Sequence, residues 1–209
     1  MVAAAIGLAA AGMDKLESYL QLEGVGGTLP VSLGSMLPFL LSLMVMMGGT
    51  TSSSISIEGK QWWILRSLPI PSGLILDGKM LVNLTFAVPS ILLAGTILTV
   101  SGQTGGLKPV WIFLVPLAYA CFSSVLGITI NLKMPVFNWD NETTVVKQSA
   151  STFVSVLGGM LLALVPIGLR FALAEVPADL FLGGVTVLVL LITVILYGKN
   201  RRCDLRKIG

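Results

Sequence analysis

Apolar residues occur along the chain in long blocks that are separated by short polar segments. A helix needs about 20 mainly apolar residues to cross the hydrocarbon core of a bilayer. Backbone polar groups find no water in lipid, so such blocks are predicted to be helical. Five blocks reach this length, at residues 31–54, 80–100, 110–131, 149–170 and 179–198. The pattern predicts an all-α integral membrane protein with a single transmembrane domain over residues 1–209.

The opening stretch "MVAAAIGLAAAGM" is also apolar, but it is too short to span a bilayer. A signal peptide would begin with basic residues, and this stretch has none. We interpret it as a short helix remnant, the end of a helix whose first half is missing. We therefore expect the chain to be the C-terminal part of a longer protein.

The composition agrees with a membrane protein and argues against an enzyme. Charged residues make up 11% of the chain, against about 25% in a typical soluble domain. There is no His, and the two cysteines, Cys121 and Cys203, make no metal site on their own. We predict that the chain is not an enzyme by itself and holds no metal or cofactor.

The distribution of basic residues predicts the orientation in the membrane. If the spans alternate and residues 55–79 are cytoplasmic, ten of the 13 basic residues fall on the cytoplasmic side. Cytoplasmic loops carry an excess of Lys and Arg. The chain is thus predicted to be a multi-pass cell-membrane protein with cytoplasmic loops at 55–79 and 132–148 and a cytoplasmic tail at 199–209. Because topology explains the net charge of +3, we predict no nucleic-acid partner.

The first cytoplasmic loop contains a candidate surface helix at residues 58–68. At helical periodicity Trp62, Ile64, Leu65 and Leu68 fall on one side, and Lys60, Trp63, Arg66 and Ser67 on the other. Such an amphipathic helix would lie along the membrane surface, with Trp at the interface. Pro69 and Pro71 would end it. From these residues alone, an interfacial anchor between two spans is an equally good interpretation.

A near match to a nucleotide-binding loop follows in "GLILDGKM", residues 73–80. It lacks the Ser or Thr that would hold magnesium, and it leads into a membrane span instead of a helix on a parallel sheet. If ATP is involved, another chain is predicted to bind it.

The second cytoplasmic loop reads "NLKMPVFNWDNETTVVKQSAS". Pro135 is expected to end the preceding helix, and Asp140 is a candidate N-cap for the next one. Glu142 in the first turn would suit the positive end of the helix dipole, and Lys147 would lie near the lipid head groups.

The spans themselves carry little chemistry. No Asp, Glu, Lys or Arg lies deep within any of them, which argues against a proton-driven antiporter, a channel with a charged filter and an intramembrane protease. Ser151, Ser155 and Gly159 recur at every fourth position and predict a helix-packing face, within the chain or across a dimer. The hydroxyls of residues 50–54 could bond back to the helix or line a polar path.

Two segments resemble a known family. Glu58-Gly59, then Leu65, then "LPIPS" and Leu76-x-Gly78-Lys79 are similar to the cytoplasmic segment of ABC-2 type exporter permeases. The stretch "SSSISIEGKQWWILRSLPI" and the order Pro135, Trp139, Glu142, Lys147 resemble one bacterial subgroup of ABC exporter permeases. With the intervening spans, the resemblance covers most of residues 40–150. The chain departs from the commoner pattern at Lys60-Gln61, where that pattern has Gly-Thr, which leaves the exact contacts of the segment open.

The resemblance implies the permease subunit of an ATP-driven exporter, with a separate ABC ATPase that binds ATP and magnesium. Two permease halves are implied, as a homodimer or with a second permease. The 58–68 helix would be the coupling helix, and Glu58, Trp62 and Arg66 are expected to touch the ATPase. The full set of residues implied in coupling is Glu58, Gly59, Trp62, Leu65, Arg66, Pro69 and Lys79. A lipid, a hydrophobic peptide and an amphipathic drug remain open as substrates. The alternative is a scaffold subunit that binds a cytoplasmic partner without transport.

Overall fold

The computed structural model describes residues 33–67, 69–102, 107–139, 149–203 and 205, and these residues form helices and connecting segments without any strand. A 3-10 turn, Leu33–Met36, leads into α1, and a second 3-10 segment, Ser56–Gln61, leads into α2. The helices are α1 Leu37–Met47, α2 Trp62–Ser67, α3 Ser72–Val100, α4 Pro109–Lys133, α5 Ala150–Ala172 and α6 Ala178–Arg201. The last four are long and apolar enough to cross a membrane.

Helix α4 is the centre of the bundle and contacts α1, α3, α5 and α6. In its most apolar stretch 72% of the residues are buried, against 28% or less for the other three long helices. Those three helices therefore turn apolar side chains outward, as expected where lipid is the solvent.

Contacts at the helix ends give the relative directions. Lys108, just before α4, pairs with Asp179 at the start of α6, with 2.7 Å between Nζ and Oδ2. Near the other ends of these helices, Asn200 Nδ2 donates to Thr129 Oγ1 at 3.0 Å. Helices α4 and α6 are thus parallel. The end at which α3 and α5 begin and α4 and α6 end is called the basic end below, and it was predicted to be cytoplasmic.

Helix α3 begins earlier than predicted. It starts at Ser72, directly after Pro71, so Asp77 and Lys79 lie in its first turns and not in a loop over 55–79. Long charged side chains near a helix end can reach the interface while the backbone stays helical. The near match to a nucleotide-binding loop is likewise part of this helix.

The predicted span over 31–54 is not one continuous helix, because its last seven residues, 48–54, are not helical. Helix α1 has 11 residues, which gives roughly 16 Å of length, against about 30 Å of hydrocarbon. From residue 48 to residue 55 the chain runs in turns, and we call this part the unwound segment. Gly, Thr and Ser fill positions 48–54, and these residues disfavour the helix interior. The predicted N-terminal helix remnant lies outside the described residues.

The small residues of α5 lie on its buried face. Ser151, Ser155 and Gly159 are buried or closely packed, and a Cβ at Gly159 would collide with the side chain of Met46 on α1. This face therefore packs within the chain, where it allows α1 to approach α5 closely.

Gly127→Ala tests the close approach of the unwound segment to α4. An added Cβ would lie 2.8 Å from the Ser52 backbone nitrogen and would also collide with Thr51. Because backbone cannot move aside easily, we expect the free energy of unfolding in detergent to fall by about 1–3 kcal/mol. The control is Gly158→Ala on α5, where a Cβ meets nothing within 4 Å. Equal stability of the two variants would contradict this packing.

Candidate functional site

The unwound segment runs along one face of α4. The α4 residues on this face recur every fourth position, at Ser123, Gly127 and Asn131, as a helix requires for side chains on one side. A Cβ at Gly49 would lie 2.7 Å from Ser123 Oγ, and Thr51 Oγ1 donates to the Ser123 carbonyl at 3.2 Å. The chain thus passes along α4 toward the basic end without regular helical hydrogen bonds.

The buried amide of Asn131 supplies partners for the end of this segment. Its Oδ1 accepts hydrogen bonds from the backbone N–H groups of Ile55 and Ser56, at 2.8 and 3.1 Å. Its Nδ2 donates to Ser56 Oγ at 2.8 Å and to Ser151 Oγ at 3.1 Å. Two acceptor and two donor positions are therefore all used. One side chain joins α4, α5 and the unwound chain.

A second amide, Asn83 on α3, does the same near the start of the segment. Its Oδ1 accepts from the backbone N–H of Thr50 at 2.9 Å and from Thr50 Oγ1 at 3.1 Å. Its Nδ2 donates to Ser124 Oγ on α4 at 2.8 Å. Two further hydroxyls bond locally: Ser52 Oγ donates to the Gly49 carbonyl at 3.3 Å, and Ser54 Oγ donates to the Thr51 carbonyl at 3.0 Å. Of the hydroxyls predicted to bond back or to line a path, Thr50 bonds to α3, Thr51 to α4, and Ser52 and Ser54 to the segment itself.

Lys79 ties the 3-10 segment to α3. Its ammonium lies 2.7 Å from Glu58 Oε1 and 2.6 Å from the carbonyl oxygen of Ser54. Both side chains are partly buried, so the pair is screened less than a surface ion pair. Glu58 was predicted to contact a partner, but here it has a partner within the chain.

Gly59 divides the predicted surface helix over residues 58–68. Its φ of +49° lies in a region that side chains rarely adopt, and it kinks the chain inside the 3-10 segment, so the residues before and after it do not continue one helix. The Trp139 ring lies directly over it, 2.9 Å from where a Cβ would be. Trp139 Nε1 also donates to the Ser56 carbonyl at 2.7 Å. A continuous helix over 58–68 is therefore corrected to two short pieces.

The two tryptophans of α2 point in opposite directions. Trp62 is 4% exposed and stacks on Phe137 of the extended stretch after α4, with 5.6 Å between ring centroids. Trp63 is 66% exposed. Leu65 is partly buried beside Trp62, as the periodicity predicted, whereas Ile64 is exposed. Trp62 was predicted to touch a partner, and in this arrangement its ring packs inside the chain.

The remaining predicted site residues are only partly described. Pro135 lies in the extended stretch after α4, where the next backbone N–H, that of Val136, donates to Ser56 Oγ at 3.0 Å. Pro69 lies between α2 and α3, outside both helices. Among the predicted positions, Asp140, Glu142, Lys147 and Leu68 lie outside the described residues, as do the side chains of Lys60 and Arg66.

Sequence reasoning missed the asparagines. Asn83, Asn131 and Asn200 are buried amides within the long helices. An amide in a membrane helix usually bonds across to another helix. An asparagine within a long apolar block could therefore have been identified as a packing residue. The sequence does not indicate which backbone groups its amide contacts.

Comparisons of the chain with family models, with curated proteins and with solved structures give no match. The residues of the chain and their contacts are therefore the basis for assigning its function.

Asn131→Ala tests whether the amide holds the unwound segment. The substitution leaves two buried backbone N–H groups without an acceptor, at a cost of about 1–3 kcal/mol each. We expect a clear loss of thermal stability in detergent and faster hydrogen exchange at Ile55 and Ser56. The control is Asn138→Ala, at an exposed position, which should change the free energy of unfolding by less than about 0.5 kcal/mol. Similar exchange at these two amides in both variants would contradict the role of Asn131.

Proposed function

We propose that this chain is the transmembrane permease subunit of an ATP-driven ABC-2 type exporter. In this proposal residues 56–67 couple it to a separate ATPase, which binds ATP and magnesium. We define these residues, the 3-10 segment and α2, as the coupling segment. One observation supports the proposal most. The coupling segment is held at once to α3, to α4 and to the extended stretch that follows α4.

The three attachments use different chemistry. Glu58 forms an ion pair with Lys79 of α3. The Ser56 backbone N–H donates to Asn131 of α4, and Trp139 Nε1 donates to the Ser56 carbonyl. Trp62 adds its stack on Phe137. A force applied to the coupling segment would therefore reach two long helices and the unwound segment together.

The outer side of α2 offers a surface for the ATPase. Trp63 and Ile64 are both exposed and adjacent, 66% and 44% respectively. Exposed aromatic side chains are typical of interface residues that contribute most to binding. In the predicted orientation this surface faces the cytoplasm, where an ATPase would lie.

The unwound segment is the part of the bundle that we expect to move. Broken helices near the middle of the membrane form substrate sites in many transporters. Here hydroxyl and amide side chains replace helical hydrogen bonds, and such bonds can be exchanged one at a time. ATP-driven closure of the ATPase dimer would shift the coupling segment and change the path of residues 48–55.

A groove beside this segment suits an apolar or amphipathic substrate. It encloses about 210 Å³ between α1 and α3. Leu41, Met44 and Phe86 give it apolar walls, and Gly48 and Asn83 bring the unwound segment to its edge. Movement of the segment would therefore change the shape of the groove.

The first experiment is capture of the tagged chain from membranes in mild detergent, followed by an ATPase assay on the captured material. Recovery of an ABC ATPase whose activity responds to this chain would support the exporter. Binding of a cytoplasmic partner without stimulated ATP hydrolysis would instead favour a scaffold subunit.

Glu58→Lys should uncouple the chain from its ATPase while membrane insertion remains normal. The substitution places two ammonium groups together and releases the coupling segment from α3. We expect stimulated ATP hydrolysis to fall at least about tenfold, since breaking a partly buried pair costs more than a surface one. The double variant Glu58→Lys with Lys79→Glu restores the pair and should recover much of the activity.

The matched control for this charge reversal is Glu175→Lys, at an exposed position between α5 and α6. It should leave ATP hydrolysis unchanged. Normal coupling in Glu58→Lys, or failure of the double variant to recover although it is well folded, would contradict the proposed attachment.

Trp63→Ala and Trp62→Ala should separate partner binding from stability. Trp63→Ala should weaken capture of the ATPase at least about tenfold, with little change in unfolding, because the ring is exposed. Trp62→Ala should lower the free energy of unfolding by about 3–5 kcal/mol, because the ring is buried. Partner titrations and thermal unfolding in detergent measure both effects. Unchanged capture by Trp63→Ala would rule out this surface of α2.

A further inference from the structure

A second groove lies on the outside of the bundle, between α3 and α6, with α4 as its floor. Its volume is about 450 Å³, within the range of about 300–1,000 Å³ of small-molecule sites. Leu81 of α3 and Val194 of α6 are exposed along its edges, so it opens where lipid would lie. It extends from Asp77 near the basic end to Leu84 and Cys121 farther along the bundle.

The deeper part of this groove is apolar in character. Its two hydroxyl groups are already used within the chain: Thr193 Oγ1 donates to the Val189 carbonyl at 2.7 Å, and Ser124 Oγ donates to the Ala120 carbonyl at 2.9 Å. The other walls in this part are Leu84, Val125 and Val194. A hydrocarbon chain would match such a surface.

Asp77 gives the basic end of the groove a carboxylate with one unbonded oxygen. Its Oδ1 is buried and has no hydrogen-bond partner among the residues that the structure describes, and its Oδ2 pairs with Arg201, 3.7 Å from Nη2. The Tyr197 hydroxyl is close enough to this carboxylate to interact with it. A buried carboxylate oxygen without a donor is costly. Rotation of the carboxyl group can turn either oxygen toward a ligand, because this torsion has a broad minimum.

Arg201 places a positive charge beside that carboxylate. Its guanidinium lies over the Tyr197 ring, 5.7 Å from the centroid. The side chain is about half exposed, so it can bind an anion from the head-group region. The groove therefore ends in a negative group and a positive group side by side.

We propose that this groove binds a zwitterionic phospholipid whose head group carries a primary ammonium. The ammonium donates to Asp77, the phosphate pairs with Arg201, and one acyl chain lies along Leu81, Leu84 and Val194. A primary ammonium brings three N–H donors to the open oxygen, whereas a trimethylammonium brings none. A phospholipid with a net negative charge would meet the Asp77 carboxylate unfavourably. This inference does not depend on the exporter function.

The first test uses the unaltered protein and a head-group series. Native mass spectrometry measures binding of phospholipids with identical acyl chains and zero, one, two or three methyl groups on the head-group nitrogen. We expect affinity to fall along the series, with about a tenfold total loss, as for a hydrogen bond to a charged group. Equal affinity for the unmethylated and trimethylated lipids would overturn the proposal.

The second test assigns the preference to Asp77. Asp77→Asn keeps the shape of the side chain and removes its charge, and we expect the preference for the primary amine to fall to less than about twofold. The matched control is Asp179→Asn at the other end of α6, where the carboxylate pairs with Lys108 and Trp111. This control should keep the full preference. Retention of the preference by a monodisperse Asp77→Asn protein would overturn the assignment, and the head-group series decides even if that variant does not fold.

Discussion

The structure depends on how backbone amides are satisfied where the first predicted span loses its helix. Groups without partners in an apolar bundle cost several kcal/mol each, so unwound chain is tolerated only where the protein supplies partners. Asn131 and Asn83 supply them from two different helices. Their Oδ1 atoms accept hydrogen bonds from backbone N–H groups of the segment, with N to O distances of 2.8–3.1 Å. Because Asn131 also bonds to Ser151, the same side chain holds α5 against α4.

Close packing and these hydrogen bonds require each other. The amides reach the unwound chain because Gly49 and Gly127 let it lie directly on α4. At the basic end the chain then continues into a compact unit in which Trp139 covers Gly59 and Trp62 stacks on Phe137. This unit joins both segments that were predicted to be cytoplasmic loops. It also explains why Trp63, and not Trp62, is the exposed ring of α2.

The candidate site could be predicted only in part. The segment around residues 58–68 was identified from its charges, tryptophans and prolines, but helical projection assumed that it is one helix. The left-handed backbone of Gly59 breaks that assumption, and its stability depends on a Trp that is distant in sequence. In the same way, Asn131 is 76 residues from Ile55, so no local pattern indicates their contact.

Block length and composition are local properties, and they were enough to predict an all-helical chain with long apolar helices suited to a membrane. They also predicted the bounds of those helices closely, apart from the early start of α3. The tertiary structure fixes where α1 gives way to turns, which amides support the unwound segment and which side of α2 is exposed. It likewise brought Asp77 of α3 to Arg201 of α6 at the end of one groove. Each of these features is a contact between distant parts of the chain, and its energy exists only once the helices have packed.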